Sequence, residues 1–166
     1  RAAVGRCPGV RSGCHEPETE ALRGRRLPLV KREDHRSRAE RPQGAGEVIL
    51  VVDDERSIRE ITQQTLAMYN YTAITAAEGL EAVVLFTQMS EHIKLILVDM
   101  MMPVMDGAAM IRAVRKINPK IKIIAMSGLL SDVPGTETLG GSVEAFLQKP
   151  YTAELMLKTV HEVLHK

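Results

Sequence analysis

Four runs of apolar residues, each closing on polar ones, set the pattern of the chain from residue 48 onward. Val48-Ile49-Leu50-Val51-Val52 ends in Asp53-Asp54-Glu55. Leu95-Ile96-Leu97-Val98 ends in Asp99, ahead of Met100-Met101-Met102-Pro103. Ile121-Lys122-Ile123-Ile124-Ala125-Met126 ends in Ser127-Gly128, and Glu144-Ala145-Phe146-Leu147-Gln148 stops at Lys149-Pro150. Apolar runs of this length without a regular polar face predict strands of a parallel sheet covered on both sides. Tyr71 to Ala76 is a further β-prone stretch. Between these runs the period changes to that of a helix. Ile58, Ile61, Thr62, Thr65, Leu66 and Tyr69 form one stripe, and Ala82, Leu85, Phe86 and Met89 a second. Met110, Ile111, Val114 and Ile117 form a third, and Met156, Thr159, Val160, Val163 and Leu164 the last. Asn118-Pro119 ends the third helix, because the residue before proline disfavours helical backbone, and Thr152 stands where the last helix needs its N-cap. Residues 129–141, with Pro134, Gly135, Gly140 and Gly141, leave room for a short or irregular helix at most.

Strand alternating with helix predicts an α/β fold. The second strand returns beside the first, giving a flavodoxin-like, doubly wound, five-stranded parallel sheet of order 2-1-3-4-5 with right-handed crossovers. In that order strands one, three, four and five end side by side. Asp53, Asp54, Asp99, Ser127 and Lys149 then share one sheet edge, the edge at which open α/β sheets bind their ligands.

Composition changes the picture mainly before residue 47. With 166 residues, 45% of them hydrophobic, the chain has material for one ordinary domain. No apolar stretch reaches the roughly 20 residues of a membrane span, and the N-terminus lacks the layout of a signal peptide, so a soluble, cytoplasmic protein is expected. Residues 1–47 hold 11 Lys/Arg and 7 Asp/Glu, leaving 11 and 14 for the remainder: a basic segment joined to a mildly acidic domain. Residues 1–46 show neither period and carry four prolines, which reads as a disordered linker or tail, with the domain over 47–166. Arg23-Gly24-Arg25-Arg26 and Lys31-Arg32 lack the aromatics and helical pattern of a nucleic-acid surface, so neither direct nucleic-acid binding nor membrane contact is expected. Cys7 and Cys14, with His15, lack the ligand set and spacing of a zinc site. The first residue is Arg rather than Met, as in a piece of a longer chain.

The chemistry lies in the carboxylates. Three of them within a few ångströms cannot all stay ionised cheaply unless a cation joins them. An oxygen-only donor set points to Mg²⁺, with Mn²⁺ as the substitute, because such ions keep some water and accept phosphate oxygen. Asp54 and Asp99 would bind directly and Asp53 through water. Asp99, at the centre, is the candidate nucleophile, since carboxylates form aspartyl-phosphate intermediates. Lys149 would hold one phosphoryl oxygen as a point charge and Ser127 would donate to another.

Asp53-Asp54-Glu55, Asp99 with Met102-Pro103 and Asp106-Gly107, Ser127-Gly128 and Lys149-Pro150 together resemble the receiver domain of bacterial two-component response regulators, in order and spacing, over residues 48–166. The resemblance implies that Asp99 accepts a phosphoryl group from a phosphohistidine on a sensor histidine kinase or histidine phosphotransfer protein. It implies Mg²⁺ held by Asp53, Asp54, Asp99 and the Met101 carbonyl, phosphoryl binding by Ser127 and Lys149, and a cis Lys149-Pro150 bond. Ser127 and Phe146 match the switch positions, and a downstream effector would read the surface around residues 129–141. Such a domain is a switch in a phosphorelay rather than a conventional enzyme, despite self-phosphorylation and slow autodephosphorylation. The linker-like sequence before Gly44 resembles the junction in hybrid sensor histidine kinases, which makes a C-terminal receiver of such a kinase the favoured origin.

Taken singly these motifs are ordinary. Asp53-Asp54 alone reads as a solvated strand end, Ser127-Gly128 and Asp106-Gly107 as turns, and Lys149-Pro150 as a strand terminator; their joint occurrence at successive strand ends carries the argument. Met100 and Met102 are expected to fill core gaps, and Met101 to offer only its carbonyl and a loop side chain. His92, His161 and His165 are expected to be exposed, with no partner pattern to suggest a phosphohistidine. The alternatives are a degenerate receiver that docks partners without phosphorylation, an aspartyl-phosphate phosphatase, and a flavin module. The phosphatase would need an acid where Met101 stands, and the flavin module a Ser/Thr/Gly phosphate loop where Asp53-Asp54 stands.

Overall fold

A computed structural model of the chain describes residues 42–128 and 141–166. The expectations for residues 1–41 and for all but the last residue of 129–141 lie outside the described residues. The apolar runs form β1 (Val48–Val52), β3 (Ile93–Asp99), β4 (Lys122–Ser127) and β5 (Ala145–Gln148), and Thr72–Ala76 forms β2. All pairings are parallel and the order is β2-β1-β3-β4-β5, as the sequence pattern predicts. The helical stripes form α1 (Arg56–Met68), α2 (Gly79–Met89), α3 (Gly107–Ile117) and α4 (Ala153–Leu164).

Side chains alternate across a strand, so each strand feeds two layers. Leu50, Val52, Ile96, Val98, Ile123 and Ala125 join Ala82, Phe86, Met110, Ile111 and Val114 of α2 and α3. Ile49, Val51, Leu95, Leu97, Ile124 and Met126 join Leu66 of α1 and Met156, Leu157, Val160 and Val163 of α4. Two members of the expected stripes are exposed. Ile61 and Ile117 are 61% and 42% exposed, because helical spacing fixes a face without saying how far across it the covering elements extend.

Local chemistry sets the boundaries. Asp106 caps α3, its Oδ1 accepting from the Ala109 N–H at 2.7 Å, and Thr152 caps α4 by accepting from the Leu155 N–H at 3.1 Å. Arg115 of α3 anchors the entry to β5: it donates to the carbonyls of Ser142 (2.8 Å) and Pro119 (2.6 Å) and to Glu144 Oε1 (3.0 Å). Glu144 Oε2 in turn accepts from the Ile123 N–H. Gly44 and Gly46, at the end of the segment read as a tail, donate to the carbonyls of Tyr69 and Asn70, both at 2.9 Å.

Candidate functional site

The sheet order brings the ends of β1, β3, β4 and β5 together. Asp53, Asp54 and Asp99 each offer an oxygen within 4.8 Å of the other two. Asp53 and Asp99 are buried, whereas Asp54 is exposed. Lys149 Nζ lies between the buried pair, 2.7 Å from Asp53 Oδ2 and 2.6 Å from Asp99 Oδ2. Burial disfavours the Lys149 ammonium, but its hydrogen bonds and charge contacts with Asp53 and Asp99 together outweigh that and leave its pKa above the ordinary lysine value. One ammonium facing three carboxylates leaves a surplus of negative charge in a site made of oxygen donors. That arrangement fits a hard divalent cation.

Asp53, Asp99 and Lys149 are each held through the main chain as well. Asp53 Oδ1 accepts from the Glu55 N–H at 2.9 Å, and the Asp53 carbonyl accepts from Arg59 Nη1 at 2.6 Å. Asp99 Oδ1 accepts from the Met101 N–H at 3.0 Å. The Lys149 N–H donates to the Ser127 carbonyl at 2.8 Å, so Ser127 and Lys149 enter the site as neighbours across β4 and β5, and the Lys149-Pro150 bond is cis. Gly107 is needed for a close approach: a Cβ there would lie 2.6 Å from the Asp99 carbonyl oxygen and 2.9 Å from Met100 Sδ.

The residues singled out from the sequence fall as follows. Asp53, Asp54, Asp99 and Lys149 converge at one point, and Ser127 is buried at the end of β4 alongside them. Met100 and Met102 are buried and Met101 is exposed, as expected. Phe146 is 38% exposed and belongs to neither core layer, so its ring stands outward. His92 and His165 are exposed, as expected, but the expectation for His161 is corrected. His161 is only half-exposed and meets both His165 and Tyr71, because helical spacing aligns the two rings and the fold brings up Tyr71 from the start of β2.

Sequence reasoning missed three contributors. Arg59 acts on a backbone carbonyl, which no motif records. Tyr151 donates to Met126 Sδ at 3.1 Å, beside Lys149. Its pKa is raised, chiefly by burial, against the opposing influence of the Lys149 charge and a hydrogen bond with Thr62. The third is an apolar groove of about 430 Å³ between α1 and α4, lined by Ile58, Ile61, Thr65, Ala153 and Met156 and reaching Lys149 and Pro150. Exposed isoleucine at position 61 within a strong helical stripe was its only sequence signal.

Comparison with known proteins agrees with this fold. A family model described as response regulator receiver domain matches residues 49–161. The chain is 32% identical over 118 residues to the sensor kinase CckA of Brucella abortus (strain 2308), an alignment covering 71% of this chain and 12% of that protein. It is 35% identical over 122 residues to the probable transcriptional regulator ycf27 of Porphyridium aerugineum, covering 72% of this chain and 49% of that one. The chain thus spans half or less of the length of these relatives. Among solved structures, the chemotaxis protein CheY4 of Vibrio cholerae superposes with a TM-score of 0.66 at 31% identity, covering 72% of this chain and 99% of CheY4. Among the described residues no helix is long and apolar enough to cross a membrane.

Proposed function

Because the chain belongs to the response regulator receiver domain family, we propose that Asp99 is its phosphoacceptor and that the domain switches a partner on and off through the charge added there. The observation that carries this is the Lys149 ammonium bridging two buried carboxylates, Asp53 and Asp99, with Asp54 exposed at the mouth of the same cluster. Asp53, Asp54, Asp99 and the Met101 carbonyl would hold Mg²⁺, for which Mn²⁺ can substitute. When bound, the ion supplies positive charge against the carboxylates and the incoming phosphoryl oxygens.

The chain's own groups do the rest. An Asp99 oxygen forms the new O–P bond as the N–P bond of a donor phosphohistidine breaks, and the departing imidazole nitrogen keeps the electron pair and takes up a proton. The Met101 N–H on Asp99 Oδ1 fixes the carboxylate plane, so the nucleophile is aligned before the donor arrives. Lys149, on Asp99 Oδ2 before transfer, is one-quarter exposed, and it would shift its donors to the phosphoryl group as the carboxylate charge is consumed. The Ser127 hydroxyl would donate to a second phosphoryl oxygen. Phe146 on β5, whose ring is now outward, would turn inward as Ser127 closes. This is a two-state equilibrium biased by contacts that one state makes better.

The donor is a sensor histidine kinase or histidine phosphotransfer protein. A helix of that partner laid in the α1/α4 groove would reach Asp99 directly, since the groove shares Lys149 and Pro150 with the site. Similarity to the sensor kinase CckA supports a hybrid kinase as the parent protein, and a downstream effector is the expected reader.

The test is to incubate the chain and an Asp99→Asn variant with acetyl phosphate or beryllofluoride, with and without Mg²⁺, and to follow intact mass and binding. A single Mg²⁺-dependent phosphoryl adduct absent from Asp99→Asn is expected. A folded, Mg²⁺-loaded protein that takes neither reagent would instead be a docking module independent of phosphorylation. Turnover of phosphate esters would identify a phosphatase.

A further inference from the structure

The opposite end of the sheet carries a pair of neighbouring histidines. α4 leaves the acid pocket at Thr152 and runs back along the sheet. Its last turn therefore lies by the start of the strands, where Lys122 of β4 donates to the Leu164 carbonyl at 2.8 Å. There His161 and His165, one turn apart, have ring centroids 4.1 Å apart and planes inclined by 33°. Both Nδ1 atoms are engaged. His165 Nδ1 lies 2.7 Å from the His161 carbonyl oxygen, and His161 Nδ1 lies 3.4 Å from Tyr71 Oη.

A carbonyl oxygen only accepts, so His165 carries its proton on Nδ1 and leaves the Nε2 lone pair open. The Tyr71 hydroxyl can donate or accept; in the tautomer where it accepts from a His161 Nδ1–H, the His161 Nε2 lone pair is open as well. Burial, helped by the charge of Glu47, raises the Tyr71 pKa, so the phenol is a neutral partner at ordinary pH. An imidazole whose Nδ1–H is bound to oxygen while Nε2 is free is the form that ligates metals, with the oxygen fixing ring orientation. The helix C-terminus adds its negative dipole end, which favours a cation. Two rings at this separation can bring their Nε2 atoms to the roughly 3.3 Å that tetrahedral zinc with Zn–N bonds of about 2.0–2.1 Å requires. Neutral nitrogen donors suit zinc and are poor ligands for Mg²⁺, so the two ends of the sheet would select different ions.

We propose that His161 and His165 form a surface zinc site, with both Nε2 atoms as ligands, water at the remaining positions, and Tyr71 as the positioning residue for His161. A bound ion would clamp the last turn of α4 beside its tie to β4. A site of this kind is independent of phosphoryl chemistry at Asp99, and its failure would leave the receiver assignment untouched.

The experiment uses the full chain without an affinity tag and with Mg²⁺ saturating the acid pocket. ZnCl₂ is added while imidazole nitrogens are followed by long-range ¹H–¹⁵N NMR and affinity is measured by calorimetry. The His161 and His165 Nε2 signals should shift together with one zinc per chain, and the His92 signals should stay in place. His165→Ala and His161→Gln should each weaken binding by at least about tenfold, the loss that removing an outer partner alone can produce, and Tyr71→Phe should weaken it less. His92→Gln should leave it unchanged, and circular dichroism checks that each variant is folded. Ring signals that do not move with zinc, or an affinity that survives either His161→Gln or His165→Ala, would overturn the proposal.

Discussion

Replacing Asp54 by asparagine should make the metal-free domain more stable and the metal-loaded one less responsive. Asp54 brings a third negative charge to a cluster whose ligand oxygens all lie within 4.8 Å of one another. Among the described residues, no hydrogen bond or ion pair compensates its exposed carboxylate. Two unit charges 4.8 Å apart repel by about 0.9 kcal/mol in water-like surroundings and about 3.5 kcal/mol at an effective dielectric constant of 20. Asp54 faces two such carboxylates and one ammonium, so one repulsion remains uncancelled, and its exposure favours the lower figure. Asp54→Asn should therefore stabilise the protein by about 1 kcal/mol in EDTA. Mg²⁺ at ten times its dissociation constant should add about 1.4 kcal/mol to the wild type by mass action, and most of that gain should vanish in the variant. Urea unfolding with and without Mg²⁺ measures both effects. The chain contains no tryptophan, so far-ultraviolet circular dichroism is the appropriate signal. A variant less stable than wild type in EDTA, or one that keeps the full Mg²⁺ gain, would refute the reasoning.

Lys149 has its folded-state pKa raised above 10.5, so the stability it contributes is complete below the unfolded value and is lost as pH climbs through the folded one. Urea midpoints in EDTA should show Lys149→Gln less stable than wild type at pH ~9, with the gap closing above pH ~10.5; a gap independent of pH would contradict this. Val104 is a β-branched residue at φ +66° with 94% of its surface exposed. Val104→Gly should raise stability by up to about 1 kcal/mol, the left-handed penalty relieved less the entropy cost of glycine. A fall in the thermal midpoint would be the contrary result. Arg115→Ala strips donors from the carbonyls of Ser142 and Pro119 and from Glu144, and should cost roughly 2 kcal/mol. Faster amide exchange confined to β5 and the preceding residues should accompany it.

The strand order could be read from the sequence because β1, β3, β4 and β5 are apolar runs closing on polar residues that announce the sheet edge, and the β-prone stretch of β2 returns beside the first. Asp53, Asp99 and Lys149 were legible for the same reason: unlike their neighbours in the runs, they pay desolvation that their mutual contact offsets, while Asp54 was legible as the second acid at the end of the first run. Ile61 and Ile117 were misjudged because periodicity identifies a helix face but not the width covered by its neighbours. Leu157, one residue beyond the expected α4 stripe, is buried because α4 packs across a broader band than that stripe allowed. Arg59 was silent because its partner is a backbone atom, the Asp53 carbonyl, and Gly107 was legible as part of a turn but not as a close approach to the Asp99 carbonyl. His161 and His165 carried readable helical spacing, yet Tyr71 lies 90 residues from His161 in sequence, and only folding reveals that contact.

The division of the interior into two layers has a bearing on how such a domain can diversify. The apolar groove between α1 and α4 rests on the layer under those helices, while α2 and α3 rest on the other, and the strands that separate them share backbone but not side-chain packing. Substitutions in one layer should combine additively with those in the other and couple strongly among themselves. The surface on one side of the sheet can then drift while the opposite side keeps its shape, with the acid pocket at the strand ends a place where both must agree.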